Sequence, residues 1–282
     1  MNIKGSTNIV GLIGHPVEHS FSPPMHNAAF AELGLDYAYV AFDVNPNNLN
    51  SAIEGAKSLN IKGFNVTIPH KIEVMQYLDE LDEVARLIGA VNTIDFKNLK
   101  GYNTDGIGAV RAIEEVSSIK GKDVVVAGAG GASRAISFYL AKFGADSITI
   151  LNRNVNKAQN LASDILKSDL IGDVGADSIL EIGNCLGDAD ILVDTTPLGM
   201  DPHINDEPIA KADSMHEELV VFDAVYNPNE TVLLKEAIGA GAKPVYGIKM
   251  LLYQGAESFK IWTGRDAPID VMQKALNEYL GR

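Results

Sequence analysis

Gly128-Ala129-Gly130-Gly131-Ala132-Ser133 follows the apolar run Asp123 to Ala127 and opens a helical pattern. Glycines at such a turn permit a tight reversal and let a pyrophosphate approach the backbone, while the helix start offers unpaired N–H donors. The sixth position is Ser133, where glycine or alanine is usual. About twenty residues after such a turn, a fold that reads a free ribose 2′-hydroxyl places Asp or Glu at the end of its second strand. This chain instead reads Asn152-Arg153-Asn154, with Lys157 soon after. Two cations in place of an acid suit a 2′-phosphate: a guanidinium stacks on adenine and donates to phosphate, and an ammonium adds charge. The pattern favours NADP over NAD.

Hydride transfer to a ketone needs a proton delivered to the oxygen, and the reverse reaction needs it removed. Lys71 and Asp105 are the acid–base pair suited to that task. Lys71 ends the motif Phe64-Asn65-Val66-Thr67-Ile68-Pro69-His70-Lys71, and Asp105 lies in Asn103-Thr104-Asp105-Gly106. Ser20 and Ser22, in the segment Gly14 to Pro23, carry hydroxyls suited to a carboxylate; Ser22 before Pro23 also fits a helix N-cap with proline at the first helical position. Asn92 and Thr93 add another polar point. All of these sit beside apparent strand ends, where open parallel sheets bind ligands. His15 and His19 have a zinc-compatible spacing only on a helix, which Pro16 opposes, and the other histidines show no ligand spacing. No metal is expected.

The elements that must position these groups alternate. Asn8 to Gly14, Tyr37 to Val44 and Gly63 to Ile68 read as strands, Asn47 to Leu59 as a helix, and Lys71 to Leu87 as one or two helices ending at Gly89. Val91 to Phe96 and Gly101 to Asn103 read as further strands. A second α/β block follows the polar stretch Ser117 to Lys122. Its strands are Asp123 to Ala127, Ser147 to Leu151, Asp190 to Asp194, Leu219 to Ala224 and Lys243 to Tyr246. Its helices are Gly131 to Phe143, Val155 to Lys167 and Glu230 to Ala240. Two helical segments without a strand fill residues 248–282. The expectation is an α/β protein of two domains: residues 1–106 plus 248–282 with a mainly parallel sheet, and 107–247 as a Rossmann-like nucleotide domain.

Composition agrees. At 282 residues the chain reaches the size where one core stops growing. No apolar run approaches the ~20 residues of a membrane span, and no export signal marks the N-terminus, so the cytoplasm is expected. A formal charge of −14 disfavours nucleic acid and anionic membranes as partners. Cys185 is the single cysteine and reads as a small core residue.

The blocks HPVEHSFSPPMHN, GFNVTIPHK, GAVNT, GYNTDG, GAGGASRA and GIKMLLYQGAESF, in this order, resemble the shikimate/quinate dehydrogenase family over essentially the whole chain. The resemblance implies a substrate domain built from the N-terminal part and the C-terminal helices, a Rossmann-like NADP domain, and an active site in the cleft between. It implies reversible reduction of 3-dehydroshikimate to shikimate with NADPH, a step towards chorismate and the aromatic amino acids, by a monomer or homodimer. Ser20, Ser22, Asn65, Thr67, Asn92, Asp105, Tyr226 and Gln254 correspond to substrate ligands, with Lys71 as acid/base. Gly128, Ala129, Gly130, Gly131 and Ala132 correspond to the pyrophosphate cradle, and Asn152, Arg153 and Lys157, with Asn154 between, to the adenosine-phosphate site. Ala224, Gly247 and Met250 correspond to positions near nicotinamide. The chain departs from the pattern at Asn154, commonly threonine, at Thr195-Thr196-Pro197-Leu198, and at Lys249, where glycine is frequent. An NAD-using quinate/shikimate dehydrogenase would usually carry an acid after the second strand. A non-catalytic sensor of shikimate or cofactor would not need Lys71 and Asp105. A methylenetetrahydrofolate enzyme on a similar scaffold binds a pterin, to which Ser20-x-Ser22 is less suited than to a small carboxylate.

Overall fold

The computed structural model describes residues 3–280. The chain divides into two compact units, Met1–Thr104 with Gln254–Arg282 and, between them in sequence, Asp105–Tyr253.

The first unit contains β1 (Asn8–Gly14), α1 (Ser22–Glu32), β2 (Tyr37–Asp43), α2 (Leu49–Ser58), β3 (Gly63–Val66), β4 (Glu80–Leu81), α3 (Glu83–Ile88), β5 (Thr93–Asp95) and β6 (Lys100–Tyr102). The sheet order is β2-β1-β3-β5-β6-β4. β1 runs parallel to β2 and β3, whereas β5 is antiparallel to both β3 and β6. Ile13, Ile53, Phe64, Val66 and Ile94 pack into one core. The stretch expected as one or two helices from Lys71 is broken differently. A 3₁₀ turn, Glu73–Tyr77, precedes β4, because the amides of Asp79 and Asp82 bond the carbonyls of Leu99 and Gly101. The Asp82 carboxylate then accepts from Val84 N and starts α3 afresh; left-handed Gly89, at φ 72°, ends it.

The second unit begins with α4 (Asp105–Glu114) and continues with β7 (Asp123–Ala127), α5 (Gly131–Lys142), β8 (Ser147–Asn152), α6 (Val155–Leu166) and β9 (Val174–Ser178). It then runs through α7 (Ile182–Cys185), β10 (Ile191–Asp194), β11 (Val220–Asp223), α8 (Val232–Gly239) and β12 (Lys243–Tyr246). α9 (Gly247–Thr263) carries the chain across the boundary at Gln254, and α10 (Ile269–Tyr279) follows in the first unit. The sheet is wholly parallel in the order β12-β11-β10-β7-β8-β9. Counted from β7 this is the doubly wound order 3-2-1-4-5-6, whose ligand crevice lies beyond the ends of β7 and β10. Two elements lack a sequence signal. β9 is polar and half-exposed, and α4 carries glycines at 106 and 108. Gly106 is required by packing: a Cβ there would fall on the Ala135 carbonyl and the Tyr139 ring of α5.

Candidate active site

Within the first unit, polar side chains converge at the ends of β1, β3 and β5. Asn65, on β3, is buried, and its Oδ1 accepts from the Tyr39 hydroxyl at 2.8 Å. Its Nδ2 lies 3.2 Å from the Asn92 carbonyl, 3.1 Å from Thr93 Oγ1 and 2.9 Å from Ser258 Oγ. Asn92 Oδ1 accepts from Thr104 N at 2.8 Å, and Asn92 Nδ2 donates to Thr104 Oγ1 at 2.9 Å and reaches Gln254 Oε1 at 3.5 Å. Buried amides and hydroxyls thus satisfy one another, which fixes their directions.

Ser20 and Ser22 are joined locally, since Ser22 N donates to Ser20 Oγ at 3.2 Å. The N-cap expected at Ser22 moves by one: Phe21 occupies the cap, Ser22 is the first helical residue, and the Ser20 hydroxyl supplies the acceptor that a capping side chain would. Thr67 and Lys71 lie on the turn after β3. Thr67 N donates to the Ile13 carbonyl, and half-buried Lys71 accepts from Val91 N at 2.8 Å through its own carbonyl. Residue type and spacing assign no role to Tyr39, which sits in an apolar strand, or to Ser258, which sits in a helix interior, although Ser258 falls within the block GIKMLLYQGAESF.

In the second unit, Gly128 has φ 105°, and a Cβ there would fall on Thr195 Oγ1. A glycine is obligatory at this point. Gly130 and Gly131 have open space where side chains would stand, and α5 starts there with no side-chain cap. An open backbone at a 12-residue helix start fits a pyrophosphate. The unusual Ser133 is accounted for, because its buried hydroxyl donates to the Gly128 carbonyl at 2.8 Å and braces the turn. After β8, Asn152 Nδ2 donates to the Asn154 carbonyl and Asn154 Oδ1 caps α6, leaving Arg153 and Lys157 exposed on the flank. That pair fits a 2′-phosphate in charge and reach. Gly247 opens α9 where a Cβ would lie 2.6–2.7 Å from the carbonyl oxygens of Asp223, Ala224 and Val225. Tyr226 is exposed, Met250 is half-buried, and half-buried Asp105 is the first residue of α4.

Two buried carboxylates at the ends of β10 and β11, Asp194 and Asp223, are register partners. Asp194 accepts from Thr196 N at 2.8 Å; Asp223 accepts from Val225 N at 2.9 Å and Thr231 Oγ1 at 2.6 Å. Burial, with repulsion from Asp223, lifts Asp194 well above the usual carboxylate range, and burial pushes Asp223 up to about 6. They anchor the loops that leave β10 and β11 beside the crevice. Among the described residues, no group of three or more His, Cys, Asp or Glu could hold a metal ion, and no helix is long and apolar enough to cross a membrane.

Residues 12–94 match the family model of the shikimate dehydrogenase substrate binding domain, 111–231 that of shikimate / quinate 5-dehydrogenase, and 247–276 that of the shikimate 5′-dehydrogenase C-terminal domain. A shikimate dehydrogenase (NADP(+)) from Methanobrevibacter smithii is 73% identical over 278 residues, 99% of each chain. The chain belongs to the shikimate dehydrogenase family. A crystal structure of a shikimate dehydrogenase in complex with NADP+ superposes with a TM-score of 0.93 at 52% identity, covering 100% of this chain and 98% of that one. A shikimate 5-dehydrogenase from Listeria monocytogenes, in complex with shikimate and NAD, superposes with the same TM-score of 0.93 at 36% identity over 98% of each chain. The α/β fold with its Rossmann-like sheet is the fold that the sequence resemblance to this family implied.

Proposed function

We infer that the protein is an NADP-dependent oxidoreductase of the shikimate pathway that catalyses the reversible reduction of 3-dehydroshikimate to shikimate. The observation that carries this is the buried network of Asn65, Asn92 and Gln254, a set of fixed amides suited to a polyhydroxylated ring, in the unit that holds the substrate-domain match. We assign substrate binding to residues 1–106 with 248–282, and NADP binding to 107–247. Ser20 and Ser22 donate to the substrate carboxylate, while Asn65, Thr67, Asn92, Tyr226 and Gln254 hold ring hydroxyls. Bound NADPH supplies the hydride. Lys71 Nζ gives a proton to the ketone oxygen in reduction and takes it back in oxidation, with the Asp105 carboxylate as its partner in the transfer. The backbone of Gly128 to Ala132 takes the pyrophosphate, Asn152, Arg153, Asn154 and Lys157 the adenosine phosphate, and Ala224, Gly247 and Met250 border the nicotinamide. The absence of an acid among residues 152–157 weighs against the NAD-dependent quinate reading. A cytoplasmic location and action as a monomer or homodimer belong to the same proposal.

Initial rates of NADP⁺ and NAD⁺ reduction with shikimate and with quinate test it. Shikimate-dependent NADPH formation that collapses in Lys71→Ala, with a smaller change in KM, is expected. Ser20→Ala should chiefly raise KM for shikimate, and Arg153→Ala should weaken NADPH far more than NADH. Tight shikimate or NADPH binding without turnover under any pairing would replace the enzyme with a sensor.

A further inference from the structure

Tyr39 stands in none of the ligand-bearing motifs and Ser258 is assigned no role within the last of them, yet both bond Asn65. Tyr39 is 2% exposed, with its ring stacked on His26 at 4.4 Å between centroids. The Asn65 amide has only one allowed orientation. Its nitrogen faces the Asn92 carbonyl, which can only accept, so the amide oxygen must face Tyr39 and the phenol must donate to it at 2.8 Å. That spends the single phenolic proton on Asn65. At the other end, Asn65 Nδ2 donates to Ser258 Oγ at 2.9 Å, and Ser258, fully buried, passes its own proton to the Gln254 carbonyl at 3.0 Å. Thr93 Oγ1 lies 2.8 Å and Thr104 Oγ1 3.2 Å from the same serine oxygen. One hydrogen-bonded chain therefore runs Tyr39–Asn65–Ser258–Gln254, linking β2, β3 and α9.

We propose that Tyr39 and Ser258 are positioning residues for the substrate, holding the Asn65 amide by its two ends and tying it to the backbone of Gln254. The proposal rests on the reading that this unit binds shikimate. The direction of one assigned substrate ligand, Asn65, is then set in part by two residues that are assigned no contact with the substrate. Removing the Tyr39 hydroxyl leaves the buried Asn65 Oδ1 without its donor, and removing that of Ser258 leaves Nδ2 only the Asn92 carbonyl and Thr93 Oγ1, so each loosens the hold on the amide orientation the ligand needs.

Tyr39→Phe and Ser258→Ala each delete one hydroxyl and keep the surrounding packing. Each should raise KM for shikimate about tenfold, the size of one lost hydrogen bond, with kcat and the KM for NADP⁺ changed less than about twofold. The double variant should fall short of the product of the two effects, since both act through Asn65. A purely structural role would move the two KM values and kcat together. Shikimate KM within about twofold of the parent in both folded variants, or equal rises for both substrates, would overturn the proposal. Thermal unfolding checks each variant; if Tyr39→Phe does not fold, Ser258→Ala decides, and loss of folding in both counts against positioning. A parent protein with no shikimate-dependent NADP⁺ reduction refutes the functional reading instead.

Discussion

His26 provides a perturbation whose size follows from burial alone. The imidazole is fully enclosed among Phe30, Tyr39, Phe259 and Trp262, and neither ring nitrogen has a hydrogen-bond partner. Burial lowers its pKa from 6.5 to about 3. In the unfolded chain the ring takes up a proton as pH falls below about 6.5; in the folded chain it does not until about 3. Because the folded value is the lower one, this contribution to stability is complete above pH 6.5 and is lost as pH falls towards 3. At pH 5 the loss is about 2 kcal/mol, and by pH 3 it approaches roughly 5 kcal/mol, which rivals the whole stability of a domain. His26→Phe removes the titration and keeps an aromatic ring against Tyr39. Any overpacking cost of the larger ring, roughly 1–3 kcal/mol, is independent of pH and cancels in a comparison across pH. Trp262 is the only tryptophan, lies 5.5 Å from the His26 ring and reports on this unit alone. Urea unfolding followed by its fluorescence at pH 8 and pH 5 should show the parent losing about 2 kcal/mol more than the variant. Equal losses in the two proteins would show that the His26 ring is not the group whose burial makes stability fall with pH.

Other consequences follow from the same structure. Asp194→Asn replaces a buried acid that repels Asp223 and keeps an acceptor for Thr196 N; it should raise stability at pH 8 by about 1 kcal/mol or more and leave pH 4 almost unchanged, because folded values lying above the unfolded ones cost stability only as pH rises. Chemical denaturation at the two pH values checks the sign, and a gain of the same size at both would contradict it. Gly128→Ala sets a Cβ against Thr195 Oγ1 in a left-handed backbone; NADPH affinity measured by fluorescence titration should fall tenfold or more, roughly 1.4 kcal/mol, and unaltered affinity would remove the turn from the cofactor site. Gly63→Ala drives a methyl into the Trp262 indole, whose Nε1 donates to the Ile94 carbonyl at 3.0 Å. A stability loss of roughly 2–3 kcal/mol is expected by calorimetry, and a neutral substitution would show that the indole moves freely.

Much of the fold was legible because its signals are local. β1, β2, β7, β8, β10 and β11 are apolar runs bounded by turns, and α6 is announced by Asn154 at its cap and by apolar residues at helical spacing. What escaped is non-local. β4 exists only because the backbone from Asp79 to Asp82 bonds the Leu99–Gly101 segment, and β9 is a polar edge that pairs with β8. α4 has glycines that argue against a helix until α5 presses on it. The site divides the same way. Gly128, Arg153, Asn65 and Asn92 stand in recognisable motifs, whereas Tyr39, Asp194 and Asp223 stand in none, and Ser258, inside the last block, becomes notable only through what it touches.

Residue type and spacing along the chain are enough for the alternation of strands and helices, the glycine turn, the cations after β8 and the presence of Lys71 and Asp105. Which groups spend their protons on one another depends on packing between elements distant in the chain. The amide direction of Asn65, the brace from Ser133 to Gly128, the neutral state of His26 and the raised carboxyls of Asp194 and Asp223 all arise from burial. In water each of these groups would find a partner in the solvent; enclosed, each has only what its neighbours leave to it, which for His26 is none.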